Sequence, residues 1–261
     1  MYNYRLLFIY IVCLTVNPVL RGQTNKLEIN KIEDLYYRYI IPDNFAAAPF
    51  LNNNIISLSF KNEFFLAELT KETLDFILPF RENSFHFQIA HDGYSRFGEM
   101  KMSLAYSRAF KKRFAVGMQF YYLMHHAKNY ELMHSLGADI SLYTQLFNAV
   151  WVGIQVVNPF RLKYDIAGTE VIPTKLCFVG FYKINKEVLV SLAVRKAMPG
   201  FLDTEFSLFF RKKSWGVISL FSLTKMGVNL VYSKNIFEIS LGTDFYYLIG
   251  FSSSAKFSCF F

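Results

Sequence analysis

From about residue 55 to its end, this chain repeats one pattern, with large apolar side chains at every second position and small polar ones between them. A period of two belongs to β-strands, where successive side chains leave on opposite faces. In Phe237–Tyr247 one parity carries Phe237, Ile239, Leu241, Thr243, Phe245 and Tyr247, and the other carries Glu238, Ser240, Gly242, Asp244 and Tyr246. In the closing segment Ile249, Phe251, Ala255, Phe257, Cys259 and Phe261 oppose Gly250, Ser252, Ser254, Lys256 and Ser258. Upstream, Phe114, Val116, Met118, Phe120 and Tyr122 oppose Ala115, Gly117, Gln119 and Tyr121. Leu136, Ala138, Ile140 and Leu142 oppose Gly137, Asp139 and Ser141, while Val150, Val152, Ile154 and Val156 oppose Trp151, Gly153 and Gln155. The stretches 174–182, 206–211 and 215–223 carry large residues on both parities.

These segments run to about ten to twelve residues, longer than an ordinary strand and matched to a tilted crossing of a bilayer. The composition points the same way. Hydrophobic residues make up 53% and charged residues 18% of the chain, against about 25% charged in soluble domains. Outside the N-terminus no apolar run reaches the roughly 18 residues of a spanning helix, so the apolar content is spread over strands. A soluble β-sandwich also alternates. The interleaved set here is small and weakly charged (Ser, Gly, Ala, Gln), which suits an enclosed lumen better than a solvated face. The chain also ends on a strand whose last residue is Phe261, the terminal signal usual in outer-membrane barrels. The reading is all-β: a transmembrane antiparallel barrel of roughly 14 strands, with an N-terminal segment tucked in or near the lumen. Lipid offers no hydrogen-bond partners, so such a sheet must close on itself.

Three regions divide the chain. Residues 1–22 read as a secretory signal peptide, with Arg5, an apolar core from Leu6 to Val16, and Gly22 before Gln23; a retained anchor is the alternative. Residues 23–54 form an irregular N-terminal segment with a short helix expected around Lys31 to Tyr39, and 55–261 form the barrel. Connections alternate in length. Those at 81–84, 110–113, 146–149, 183–187, 211–214 and 233–235 are short, while 61–72, 91–99, 125–131, 159–172 and 196–203 are long, the asymmetry expected of inner turns and outer loops. Cys177 and Cys259 are too few for a disulfide framework.

The segment Gly93–Phe110 (GYSRFGEMKMSLAYSRAF), with Asn158-Pro159, Ile172-Pro173-Thr174 and the closing IGFSSSAKFSCFF, resembles a group of compact barrels related to PorV and PorQ. More distantly it is similar to the long-chain fatty-acid transporter (FadL) barrels. The resemblance covers roughly residues 40 to 261. It implies a fourteen-stranded barrel in a bacterial outer membrane, with an N-terminal segment folded into the lumen. The family's Gly-rich stretch and Asn-Pro-Ala hatch motif are reduced here to Asn44-Phe45-Ala46-Ala47-Ala48-Pro49.

No G-x-S-x-G elbow, P-loop or dinucleotide fingerprint occurs, so neither an enzyme nor a cofactor is expected. The five histidines, His86, His91, His125, His126 and His134, read as loop polarity at the outer rim. Adjacent His125 and His126 face opposite ways on a strand and cannot easily share a metal. The net charge of +8 fits contact with lipid headgroups, with Lys111, Lys112, Arg113, Arg211, Lys212 and Lys213 placed in turns. No aromatic-basic motif suggests nucleic acid.

Parity makes Lys101, Gln119, Tyr121, Asp139, Tyr143, Trp151, Gln155, Glu238, Asp244 and Lys256 the lumen-lining candidates. Their charged members form either a structural ion-pair network or a selectivity lining. His91-Asp92-Gly93 are expected to interrupt their strand and kink it toward a side opening. Two functions follow, with membrane lipid as a partner in both. One is FadL-like passage of a hydrophobic small molecule. The other is a plugged barrel acting as an accessory subunit of a type IX secretion or other envelope complex.

Overall fold

A computed structural model describes residues 31–94, 96–111, 113–128, 132–162 and 172–261. The signal-peptide reading of residues 1–22 falls outside them. Each alternating segment forms a strand: β1 (Ile55–Asn62), β2 (Thr70–Phe80), β3 (Asn83–Tyr94), β4 (Phe97–Phe110), β5 (Phe114–Ala127), β6 (Met133–Phe147), β7 (Val150–Val157), β8 (Thr174–Lys183), β9 (Val188–Met198), β10 (Leu202–Lys212), β11 (Trp215–Ser222), β12 (Lys225–Lys234), β13 (Phe237–Tyr246) and β14 (Gly250–Phe260). Every strand pairs antiparallel with its sequence neighbours, and β1 pairs with β14, so fourteen strands close a barrel with no free edge. The seam is in register from Ile55 opposite Phe260 to Asn62 opposite Ser253.

Side chains sort across this wall by parity. Phe120, Leu136, Leu230 and Leu241 project outward and remain exposed, as a lipid-facing surface requires. Ser57, Ser107, Ser141, Ser207, Ser233 and Ser258 point inward and are buried. The near rim, where β1 begins and β14 ends, has short turns at 81–82, 111–113, 148–149, 184–187, 213–214 and 235–236. The far rim carries the longer connections 63–69, 128–132 and 158–173, along with tight ones at 95–96, 199–201, 223–224 and 247–249.

Two of the expected long loops therefore shrink, because their polar residues belong to ladders. His91, Asp92 and Gly93 do not interrupt β3. They pair with Glu72 and Lys71 of β2 and with Met100, Glu99 and Gly98 of β4 in unbroken register. Gly93 has φ +109°, a backbone that side-chain-bearing residues rarely adopt, and it takes the strain of the tight hairpin without opening the wall. Likewise 196–203 is mostly strand, with only 199–201 left as a turn.

The lumen is filled at its near half by the described part of the N-terminal segment, residues 31–54. Helix α1 (Ile32–Ile40) has Glu33 and Asp34 in its first turn and Arg38 in its last, which complements the helix dipole. A 3-10 helix follows at Phe45–Phe50. Ile32, Leu35, Tyr36, Tyr37, Ile40, Phe45 and Ala46 to Ala48 are all buried. A helix apolar on so many sides must be enclosed, and this one is. Val179, Phe181, Leu189, Phe209, Ile218 and Val231 of the wall surround it in one cluster.

Wall glycines make room for the plug. A Cβ on Gly117 would lie 2.7 Å from the Phe45 ring, and one on Gly153 would lie 2.6 Å from the Tyr143 ring and collide with Asn44. Gly117→Val is expected to cost about 1–3 kcal/mol by overpacking and to dislodge the 3-10 helix while the barrel stays closed. Thiol labelling of an introduced Ala46→Cys should go from slow to fast in the Gly117→Val background, with no loss of the compact band on unheated gels. Equal labelling in both backgrounds would show that Phe45 does not rest on this glycine.

Candidate functional site

The candidate site is the lumen between the plug and the far rim, and the plug is its floor. Polar ties hold that floor to the wall. Arg38 donates to Glu238 at 2.7 Å, and Ser233 and Arg211 donate to the same carboxylate at 2.6 and 3.5 Å. Arg195 forms a fork on Asp43, with its Nη2 at 2.5 Å and its Nε at 3.1 Å. Tyr39 donates to Glu205 at 2.6 Å, and Lys183 pairs with Glu33. The 3-10 helix is bonded by its backbone: Ala46 N–H donates to Ser141 Oγ at 3.0 Å, and Ser107 Oγ donates to the Phe45 carbonyl at 2.9 Å. Asn44 reaches the Leu142 carbonyl at 3.0 Å. Burial inside the barrel pushes the Asp34 carboxyl up to about 6 against the pull of Arg38.

Beneath these ties lies an aromatic stack. Tyr143 and Trp151 are parallel with ring centres 5.4 Å apart, and Tyr37 and Phe50 meet both. Tyr36 packs on Phe181 at 4.4 Å and on Phe209 at 5.4 Å. Such contacts add to area burial. They leave the near half of the lumen closed.

Above the plug two chambers adjoin. One, of about 530 Å³, has an apolar patch of Leu35, Pro42, Ile218 and Val231 in its lining, with Lys61, Lys101, Lys256 and Asp75 also bordering it. The other, of about 490 Å³, is bordered mainly by polar groups, among them His86, Gln88, Lys101, Gln119, Asp139, Gln155, Lys175 and Arg195. Pro42, Lys71, Gln88 and Lys101 border both.

The ten lumen candidates all project inward, but the structure divides them. Tyr143 and Trp151 pack against the plug, and Glu238 ties it. Lys101, Gln119, Asp139 and Gln155 line the polar chamber, and Lys256 lines the larger one. Tyr121 lies under the Lys101 ammonium, 4.6 Å from ring centre to Nζ. Asp244 belongs to a rim network with Lys225 at 3.5 Å and Lys61 at 3.7 Å. Asp139 also accepts the backbone N–H of Asn158 at 3.0 Å. Asn158 in turn donates to the Ile172 carbonyl at 2.8 Å and accepts from Leu162 N–H, closing the neck of the 158–173 connection.

Two expectations are corrected. His86 is not rim polarity. It is buried on the inner face of β3, with Nε2 2.9 Å from Asp75. Arg211 is not in a turn either. It sits at the inner face of β10, 2% exposed, against Glu238 and Ser233. The sequence reading also missed Arg38, Asp43, Asp75, Arg195 and Glu205. The signal for Arg195, Glu205 and Arg211 was parity with buried Ser191 and Ser207. It was masked by apolar neighbours on both faces.

No protein-family model matches this chain, and no curated protein sequence does. Solved structures do resemble it. The toluene transporter TbuX of Ralstonia pickettii superposes with a TM-score of 0.64 at 7% identity, covering 85% of this chain and 93% of that one. The P. putida toluene transporter TodX gives 0.59 at 8% identity, covering 84% and 92%. The CymD monoaromatic hydrocarbon channel gives 0.55 at 10%, covering 83% and 93%. At such identities the likeness is one of fold, and the resemblance to PorV and PorQ rests on the sequence motifs alone. The chain is a closed, fourteen-stranded transmembrane barrel with α1 and the 3-10 helix inside, similar in fold to these hydrocarbon transporters.

Proposed function

We propose that this protein is a bacterial outer-membrane channel for a small hydrophobic molecule, and that the N-terminal plug is its gate. The far rim then faces outward and the near rim faces the periplasm, with short turns inside and longer loops outside. The observation that carries the reading is the position of the two chambers. They lie directly on the plug, and the larger one presents the apolar patch of Leu35, Pro42, Ile218 and Val231 to a molecule arriving from the far rim. The shared plan with toluene transporters supports the same class of cargo. Passage requires the plug to shift, since Tyr36, Tyr37, Tyr143 and Trp151 fill the route below.

A locked plug tests this. Ala46 N lies 3.0 Å from Ser141 Oγ, so the two residues sit side by side across the plug–wall contact and are the pair to cross-link. The protein with Ala46→Cys and Ser141→Cys, and with Cys177 and Cys259 replaced by Ser, is reconstituted in liposomes and assayed for toluene uptake. The reduced form is expected to conduct several-fold above empty liposomes and the oxidised form to match them. Equal flux in both forms would sink the gate.

A second reading is the plugged accessory subunit of a type IX secretion or other envelope complex. The density of ties between plug and wall favours it. It gains if neither form conducts and the detergent-extracted barrel retains a protein rather than a small molecule.

A further inference from the structure

We infer that the polar chamber of about 490 Å³ is a binding site for a small hydroxylated carboxylate. This goes beyond the transport reading and stands on the chamber alone. The wall of β3 to β7 beside it holds polar atoms that are buried and have no hydrogen-bond partner among the described residues: His86 Nδ1, Ser103 Oγ, Tyr121 Oη, Asp139 Oδ2 and Gln155 Oε1. Each belongs to a residue less than a tenth exposed. A native interior seldom leaves such groups unmet, because each unpaired polar atom carries its full desolvation penalty.

They are brought together by register. Asp139 stands opposite Gln119, and Gln155 stands opposite Cys177, which stands opposite Arg195. Asp139, Gln155 and His86 all border the chamber. These atoms are themselves shut off from the open space, so a ligand in the chamber reaches Asp139 Oδ2 and Gln155 Oε1 by drawing the two side chains toward it, and to satisfy them it must bring hydrogen-bond donors.

The cations define the rest of it. Arg195 is engaged by Asp43 and Asp203, Lys71 by Asp92, and Lys196 by the Gly200 carbonyl. Lys101 and Lys175 border the same chamber and form no ion pair among the described residues. Lys196 keeps its charge and Arg195 faces both Asp43 and Asp203, so with the Asp92 that holds Lys71 five cations stand against four carboxylates, the last of them Asp139, whose other oxygen takes the Asn158 N–H. A surplus of one positive charge favours a monoanion and disfavours an ammonium as the source of the donors. Neutral hydroxyls on a carboxylate meet both demands, with the carboxylate at Lys101 and Lys175 and the hydroxyls at Asp139 and Gln155. The volume suits a molecule of six or so carbons.

Calorimetric titration of D-gluconate into the detergent-purified full chain tests the assignment, with glucose and hexanoate as probes that each lack one half of the required chemistry. Gluconate is expected to bind with a Kd of about 1 mM or tighter, and the other two at least about tenfold more weakly, a difference of about 1.4 kcal/mol. Lys101→Met should weaken gluconate by a similar factor, and Gln155→Leu should weaken it while leaving the compact folded band intact. Lys101→Arg, which keeps the charge, should retain binding and so separates loss of the site from loss of the fold. Absence of gluconate binding in the folded barrel would overturn the assignment, leaving the chamber to water. Equal affinity for hexanoate would overturn it too. Neither result touches toluene flux, so this proposal and the gate fail separately.

Discussion

Glu238→Leu is expected to lower the unfolding free energy of the refolded barrel by about 3–5 kcal/mol, read from urea titration in detergent. The magnitude follows from what the carboxylate holds. Arg38 and Arg211 converge on it with side chains 6% and 1% exposed, and Ser233 donates to the same oxygen. Removing this carboxylate takes the anion in direct contact from two guanidinium groups held away from water, and breaking a buried pair costs in that range. The effect should appear first at the plug, because Arg38 lies in α1 and Glu238 in β13. Replacing all three groups together, with Arg38→Met, Arg211→Met and Glu238→Leu, should recover most of the loss, since an apolar cluster of similar volume carries no desolvation penalty. A single-variant loss below about 1 kcal/mol would mean that water reaches this trio.

The second large effect lies on the other face of the wall. Phe120 stands at the middle of β5, 61% exposed on the outside of the barrel. Phe120→Arg should destabilise the protein in lipid vesicles by about 2–4 kcal/mol, the cost of a cation at the bilayer midplane. The inward Lys256→Arg, one chamber wall away from lipid, should change stability by less than about 0.5 kcal/mol. The pair of measurements tests which parity meets acyl chains. Near-equal costs would place Phe120 against protein or water and remove the basis for a transmembrane barrel.

That parity was legible in the sequence wherever the interior needed only small residues. β4 to β7, β13 and β14 alternate cleanly, and their strand character and inward faces follow from residue type alone. The mixed stretches 174–182, 206–211 and 215–223 became β8, β10 and β11. Their second apolar set, Val179, Phe181, Phe209, Ile218 and Leu220, faces inward because α1 presses against it. Local pattern could not distinguish that from a two-sided hydrophobic strand, since the explanation lies well over a hundred residues away in the chain. The misplaced loop at 91–99 has a different cause. His91, Asp92 and Gly93 have the composition of a turn, and cross-strand partners outvote composition once both neighbouring strands are long enough to pair with them.

The candidate site was legible by half. Inward parity picks out Lys101, Gln119, Asp139, Gln155 and Lys256, but not the division between plug ties and open chambers. That division depends on Arg38, Asp43 and Tyr39, which sit in the irregular N-terminal segment and reach partners such as Glu205 and Glu238 far along the chain. Gly117 and Gly153 carried a readable hint. An inward glycine in the middle of a strand marks a place where something approaches closely, and here it is the segment Asn44-Phe45-Ala46.

The seam between β1 and β14 joins the first strand to be synthesised to the last. Until β14 arrives, β1 and β13 each keep an unpaired edge that a bilayer cannot satisfy, so closure waits on the final segment. The plug precedes β1 in the chain, so all of it is made before the ring can shut. Entry after closure would run through the near-rim mouth and would have to bury Arg38, Asp43 and a row of aromatic rings in an interior already formed. The order of synthesis thus allows the wall to be built around the plug.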